Sequence, residues 1–137
     1  LLCNCLIMTS ETIQKYSKYS TPKLKLKAQT VFNAWIRKRD EGQPCISCSK
    51  PTFDHAGHYY SGGHYSGLRF NEFNVNGQCI RCNNFLHGNL IGYRNGLIKK
   101  YGEDNVAELD MLSVSTRMTK NDRFLFISIC ENYKLKM

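Results

Sequence analysis

An α+β fold is predicted, a small zinc-bound ββα-metal core with flanking N- and C-terminal helices, and three observations predict it. Two C-x-x-C units, at 45–48 and 79–82, stand thirty residues apart. All four histidines, His55, His58, His64 and His87, fall between the first unit and five residues past the second. On either side of that segment apolar residues recur at helical spacing, whereas within it no helical period is present. At 137 residues and 15.8 kDa the chain has room for one compact module with extensions.

Residues 1–20 read as a flexible lead-in. The opening LLCNCLIM lacks a basic leader and a small-residue cleavage site, so no secretory signal is expected, and residues 9–20 are polar without a sustained period. Residues 21–42 read as a basic amphipathic helix. Thr21 can cap it, Pro22 suits its first turn, and Leu24, Ala28, Val31, Phe32, Trp35 and Ile36 form one stripe before Gly42. Residues 43–102 are the expected core. Strands at 53–60 and 68–75 would pair across Gly62-Gly63, followed by a helical stripe of Leu90, Tyr93, Leu97, Ile98 and Tyr101. Gly92 and Gly96 each weaken that helix by roughly 1 kcal/mol relative to Ala, which points to close backbone packing. A break near Gly88 is the alternative. Residues 103–137 read as a C-terminal helical extension, with helices near 105–112 and, capped by Thr119, 120–136.

Nineteen Lys and Arg against eleven Asp and Glu leave a net charge of +8, which favours a phosphate-rich partner. Eight of the basic residues lie between Lys15 and Arg39 with no acid among them, and six of the eleven acids follow Tyr101. A solvated helix face explains such a run without any ligand. No apolar run reaches the ~18 to 20 residues of a bilayer span, and no membrane partner is expected. Seven cysteines, an odd count with two C-x-x-C units, favour metal ligation in a reducing compartment, with the cytoplasm as default. Cys3, Cys5 and Cys130 have no matching partner spacing and are expected to be unligated or buried thiols.

Cys45, Cys48, Cys79 and Cys82 would close a tetrahedral four-sulfur shell around a structural zinc ion. A dithiol redox centre or an iron–sulfur cluster is the alternative, but neither unit opens a helix in a βαβ setting. The histidines are then available for a second ion or for proton transfer. Asp54, His55 and His58 on a strand, facing Asn83 and His87 at i and i+4 of a helix, would grip one Mg²⁺ or Mn²⁺. That arrangement suits phosphodiester hydrolysis, with His58 as general base. Taken singly, each histidine is more often a surface or satisfied core residue, and His64 in its Gly/Ser/Tyr loop is left at that.

The run C-I-S-C at 45–48, A-G-H-Y at 56–59, L-R-F-N at 68–71, Asn74, Q-C-I-R-C-N at 78–83, G-N at 88–89 and Tyr93 closely resembles the phage NinG (Rap) recombination proteins, over about residues 23–109. The resemblance implies an HNH-like, or His-Me finger, nuclease core. It further implies structure-specific cleavage of Holliday junctions and D-loops with a divalent cation, and a phage or prophage origin. By position it implies zinc on the four cysteines, His58 as the nuclease histidine, Asn83 as a ligand of the catalytic ion and Asn74 as the residue that orients the hairpin loop. Gly57 stands where many HNH sites place a metal-binding Asp or His. The resemblance therefore leaves open which of Asp54 and His55 meets the ion. The N-terminal cysteine cluster of some longer relatives is not recognisable in residues 1–8.

Branch recognition needs phosphate contacts more than base readout. Lys23, Lys27, Arg37, Lys38, Arg69, Arg81, Arg94, Lys99 and Lys100 are the candidate DNA-binding residues. A homodimer is expected because two strands of a junction need coordinated incision, and recombination proteins are further candidate partners. Two other readings stand beside this one: a non-catalytic zinc module that binds nucleic acid or a recombination partner, and an HNH endonuclease for linear duplex.

Overall fold

The structure is a computed structural model and describes residues 8–137; the expectations for Cys3, Cys5 and the start of the lead-in lie outside the described residues. In chain order the elements are α1 (Ser10–Lys15), α2 (Thr21–Arg39), β1 (His55–His58), β2 (Val75–Gln78), α3 (Leu90–Tyr101), α4 (Glu103–Ser115) and α5 (Arg123–Lys136). A short 3-10 turn, Ser66–Leu68, and a π-helical turn, Arg81–Phe85, lie between them. The chain divides into two compact units, one of residues up to Trp35 together with Asn121–Met137, the other Ile36–Lys120. These differ from the boundaries expected at 20, 42 and 102, because the chain's last helix packs with its first residues rather than extending the core.

In the first unit the lead-in is partly helical rather than without structure. Thr9 caps α1 by accepting the Thr12 N–H, a local bond that a six-residue helix needs because it is too short to show a period. The Arg123 guanidinium donates to the carbonyls of Tyr16 and Tyr19 at 2.7 Å each, and Lys15 and Tyr16 both donate to the Glu131 carboxylate. Leu24, Ala28 and Phe32 of α2 are fully buried, as is Ile127 of α5. Tyr133 meets Phe32 edge-on at 4.8 Å between centroids and Trp35 at 5.0 Å. Asp122 caps α5 by accepting the Leu125 N–H at 2.9 Å, a role the sequence had suggested for Thr119.

In the second unit β1 and β2 pair antiparallel, His55 opposite Gln78 and His58 opposite Val75. The second strand therefore lies at 75–78, not at 68–75. The intervening chain is folded instead: Asn71 Oδ1 accepts the N–H groups of Phe73 and Asn74, a local turn that competes with extension. The core comprises Ile46, Leu68, Tyr93, Leu97, Val106 and Leu109. The wholly buried Tyr93 hydroxyl donates to the Gly57 carbonyl at 2.6 Å and so fixes α3 to the sheet. Gly92 and Gly96 let α3 lie directly on the first C-x-x-C turn, where a Cβ at either would overlap the Ser47 or Ile46 carbonyl. Asp40, itself buried, accepts from Arg39, from Lys100 at 3.0 Å and from the Gly77 N–H at 2.8 Å. Among the described residues no helix is long and apolar enough to cross a membrane.

Candidate functional site

Both C-x-x-C turns are built by backbone hydrogen bonds that leave their sulfurs convergent. Cys45 N–H donates to the Lys50 carbonyl and Ser49 N–H to the Cys45 carbonyl, with Ser49 in the left-handed region at φ 63°. Ile46 N–H donates to the Gly77 carbonyl at 3.0 Å and ties that turn to β2, which runs directly into the second turn. The four sulfurs lie within 4.8 Å of one another. Four thiolates at ~2.3 Å from a tetrahedral ion are about 3.8 Å apart, and Cys48 Sγ to Cys79 Sγ is 3.8 Å. That spacing is far too long for a disulfide.

Second-sphere donors support the cluster. Cys79 N–H reaches Cys45 Sγ at 3.3 Å, and Asn89 Nδ2 reaches Cys82 Sγ at 3.4 Å. Burial pushes the Cys79 thiol up, but hydrogen bonds from Cys82 and the other sulfurs outweigh it and bring it to about 7, whereas burial drives Cys82 up to about 12. So many sulfurs at this spacing ionise together only around a cation. The four cysteines fit a metal such as zinc, which when bound would cross-link the two turns.

The histidine set divides. Asn83 Nδ2 meets His55 Nδ1 at 3.0 Å, joining the π-helical turn to β1. Asp54 is exposed and its carboxylate accepts the Ile80 N–H at 3.4 Å. Alternation along β1 sends His55 and His58 to opposite faces. His87 does not share a helical face with Asn83: the π-turn ends at Phe85, and His87 follows in the left-handed region at φ 50° and exposed. The single cradle of Asp54, His55, His58, Asn83 and His87 expected from helical spacing is therefore not formed. Among the described residues the four cysteines are the one group of three or more His, Cys, Asp or Glu with ligand atoms so close together. His64 sits in its loop with Nδ1 at 3.0 Å from Ser61 Oγ.

His58 is held differently. Its Nε2 lies 2.9 Å from the Arg69 carbonyl, which can only accept, so Nε2 carries the proton and Nδ1 keeps the lone pair of the neutral ring. Burial, the largest influence, pulls its pKa below the ordinary 6.5, with the carbonyl bond opposing. Asn74 clasps the loop that supplies this carbonyl: its Nδ2 donates to the Tyr60 and Leu68 carbonyls and its Oδ1 accepts the Tyr60 N–H at 2.8 Å. Gln78, the first residue of the run quoted at 78–83, was given no role of its own in sequence. It is fully buried, donates to Ser47 Oγ at 2.8 Å and to the Gly88 carbonyl at 2.7 Å, and fills the space above Gly57. A glutamine beside a cysteine carries no spacing signal, so its partners show only in the fold.

The candidate DNA-binding cations fall into two sets. Lys23, Lys27, Arg37, Lys38, Arg81 and Lys99 are exposed. Arg94 is paired with Asp110 at 2.8 Å, Lys100 with Asp40, and the Arg69 guanidinium is half-buried beside Gly62. Arg94 and Lys100 are thus committed to acids within the fold.

The family model for the Bacteriophage Lambda NinG protein matches residues 9–137. The chain is 45% identical over 85 residues to Protein ninG of Escherichia phage lambda, and 44% identical over the same length to Protein ninG of Escherichia phage 933W and of Salmonella phage P22. Each match covers 61% of this chain and 42% of the relative, so the chain spans less than half the length of the curated relatives it matches. No solved structure matches. With nearly all of its described residues matched by that model, the chain belongs to the NinG family of bacteriophage proteins.

Proposed function

We propose that the chain is a metal-dependent, HNH-type endonuclease that cuts branched DNA in phage recombination, with His58 as general base. The observation that carries this reading is the His58 clamp. A carbonyl-bound Nε2–H orients the ring, and burial keeps it neutral, which is the state a base must be in to take a proton from water. His55 and Asn83 supply the ion site. Two ligands at ~2.1 Å and at right angles on an octahedral Mg²⁺ are about 3.0 Å apart, and this is the separation of His55 Nδ1 and the Asn83 amide. Turning that amide over would present its oxygen; the two amide atoms differ little in shape. Mg²⁺ or Mn²⁺ held there would neutralise phosphate charge.

On this reading the substrate must reach groups on both faces of β1. β1 is four residues long and, among the described residues, pairs with β2 alone. A phosphodiester lying along its other edge would be placed to reach groups from both faces. Exposed Lys23, Lys27, Arg37, Lys38, Arg81 and Lys99 supply phosphate contacts, and log affinity should fall with log salt by about 0.9 per phosphate neutralised. Two copies acting together would cut two strands of a junction.

A second reading, a non-catalytic zinc module that holds nucleic acid, is favoured by the opposite-face placement of His55 and His58. His58→Ala separates the two. Measured on a four-way junction with Mg²⁺ or Mn²⁺, cutting should drop about a hundredfold or more while binding stays. Unchanged cutting removes His58 as the base. Because its pKa is lowered, the parent's cutting should persist as pH falls through 6.5 and fail only below it, where the ring at last takes a proton.

A further inference from the structure

We infer that the π-helical turn and the residues after it present a stacking wedge, Phe85, for an unpaired base at a DNA branch point, with Arg81 beside it for the adjoining phosphate. The inference rests on the DNA-binding part of the reading above and not on its chemistry.

Large apolar side chains crowd this segment at the surface. Phe85 is 74% exposed, Leu86 43% and Ile91 83%, with Ile80 and Leu90 also open. Scattered exposed apolar residues are ordinary; several within one short stretch of a small protein mark a contact surface. The segment is also held rigid. Leu86 N–H donates to the Arg81 carbonyl and Gly88 N–H to the Cys82 carbonyl, both at 2.8 Å. Gln78 holds the Gly88 carbonyl, and Asn89 reaches Cys82 Sγ. His87, Gly88 and Asn89 follow one another at φ 50°, 94° and 41°, a conformation that costs free energy at the two residues carrying a Cβ. Phe85 therefore stands in water on a hydrogen-bonded backbone rather than on a loose loop.

The turn's geometry selects the occupant. A π-turn closes from residue i to i+5, here from Arg81 to Leu86, so Phe85, one residue short of the closing position, comes round toward the side of Arg81, while Asn83, halfway between, meets His55. Arg81 is exposed and makes no ion pair among the described residues. An aromatic face with a cation beside it matches a base and its phosphate, whatever the base, because each base has a π face. Bases inside a duplex are already stacked, whereas those at a branch point are available. A second copy of the chain fits less well, since it would bring another Arg81 and another net +8 to the same patch.

The test uses the full zinc-loaded chain without added Mg²⁺ or Mn²⁺, so that no cutting is needed. A three-way junction carrying 2-aminopurine at its unpaired position is compared with a linear duplex of the same sequence. Phe85→Ala should weaken junction binding roughly tenfold and abolish the fluorescence change, with duplex binding unchanged. Phe85→Trp should retain both. Since Phe85 lies outside the core, zinc content and far-UV circular dichroism should match the parent. An unaltered junction preference in Phe85→Ala overturns the inference. So does a parent dimer that becomes a monomer in Phe85→Ala while the fluorescence change survives, which would make the patch a chain–chain contact. A protein that gives the stacking signal yet never cuts in Mg²⁺ keeps this inference and overturns the nuclease reading.

Discussion

Asp40 shows how much one residue can organise. Its carboxylate is 2% exposed and receives Arg39, Lys100 and the Gly77 N–H, so the end of α2, the middle of β2 and the end of α3 meet at one charge. Burial pushes its pKa up, but those donors outweigh it and hold the carboxyl below its ordinary 3.8. Asn76 completes the group: its Oδ1 accepts from Arg39, Lys100 and Tyr101. Asp40→Asn keeps the shape and removes the buried charge that Arg39 and Lys100 share. Breaking a buried pair from one side costs about 3 kcal/mol, and a fall of the unfolding free energy by that amount, read as a lower denaturant midpoint at unchanged m, is expected. Asp54→Asn, at an exposed carboxylate, should stay within about 0.5 kcal/mol. Equal midpoints for the two variants would refute the central place given to Asp40.

Among elements, α3 was the most legible in sequence and β2 the least. The stripe of Leu90, Tyr93, Leu97, Ile98 and Tyr101 announces α3, and its two glycines announce the close approach that Ser47 and Ile46 provide. β2 reads V-N-G-Q and is buried at every position, so alternation cannot reveal it. Its polar side chains find their partners in Lys100, Tyr101, Tyr93, Ser47 and Gly88, all distant in sequence. His87 was misplaced for a related reason: i, i+4 spacing assumes an α-helix, and the turn after Cys82 is wider and ends sooner. The α3 contact has a measurable consequence. By propensity alone Gly96→Ala should stabilise the helix by about 1 kcal/mol, but the new Cβ meets a backbone carbonyl that cannot step aside. Overpacking of this kind costs about 1 to 3 kcal/mol. A net loss of stability is expected, with weaker zinc retention in a chelator titration because Ile46 lies inside the first cysteine turn. Gly63→Ala, with nothing within 4 Å and ordinary backbone, should be neutral.

At the scale of the molecule the two units are stabilised by different physics. The unit containing α5 buries a continuous set of apolar and aromatic side chains and is closed by the bonds of Arg123 and Glu131. The other has strands of only four residues, and its sheet runs between two cysteine turns. A two-stranded pairing of that length does not stand alone in water. The apparent binding free energy of a four-thiolate zinc site, about 10 to 16 kcal/mol in small zinc domains, is comparable with the whole stability of a domain, about 5 to 15 kcal/mol. Removing an ion bound there should therefore unfold the sheet region rather than loosen it. Hydrogen exchange after chelation checks this by segment: amides of β1, β2 and both cysteine turns should lose protection, those of α5 should keep it, and added zinc should restore the first set. Full protection of β1 and β2 in chelator would mean that Tyr93, Asp40 and Asn74 hold the sheet without metal. The cluster would then be a regulatory or redox feature rather than the keystone of the fold.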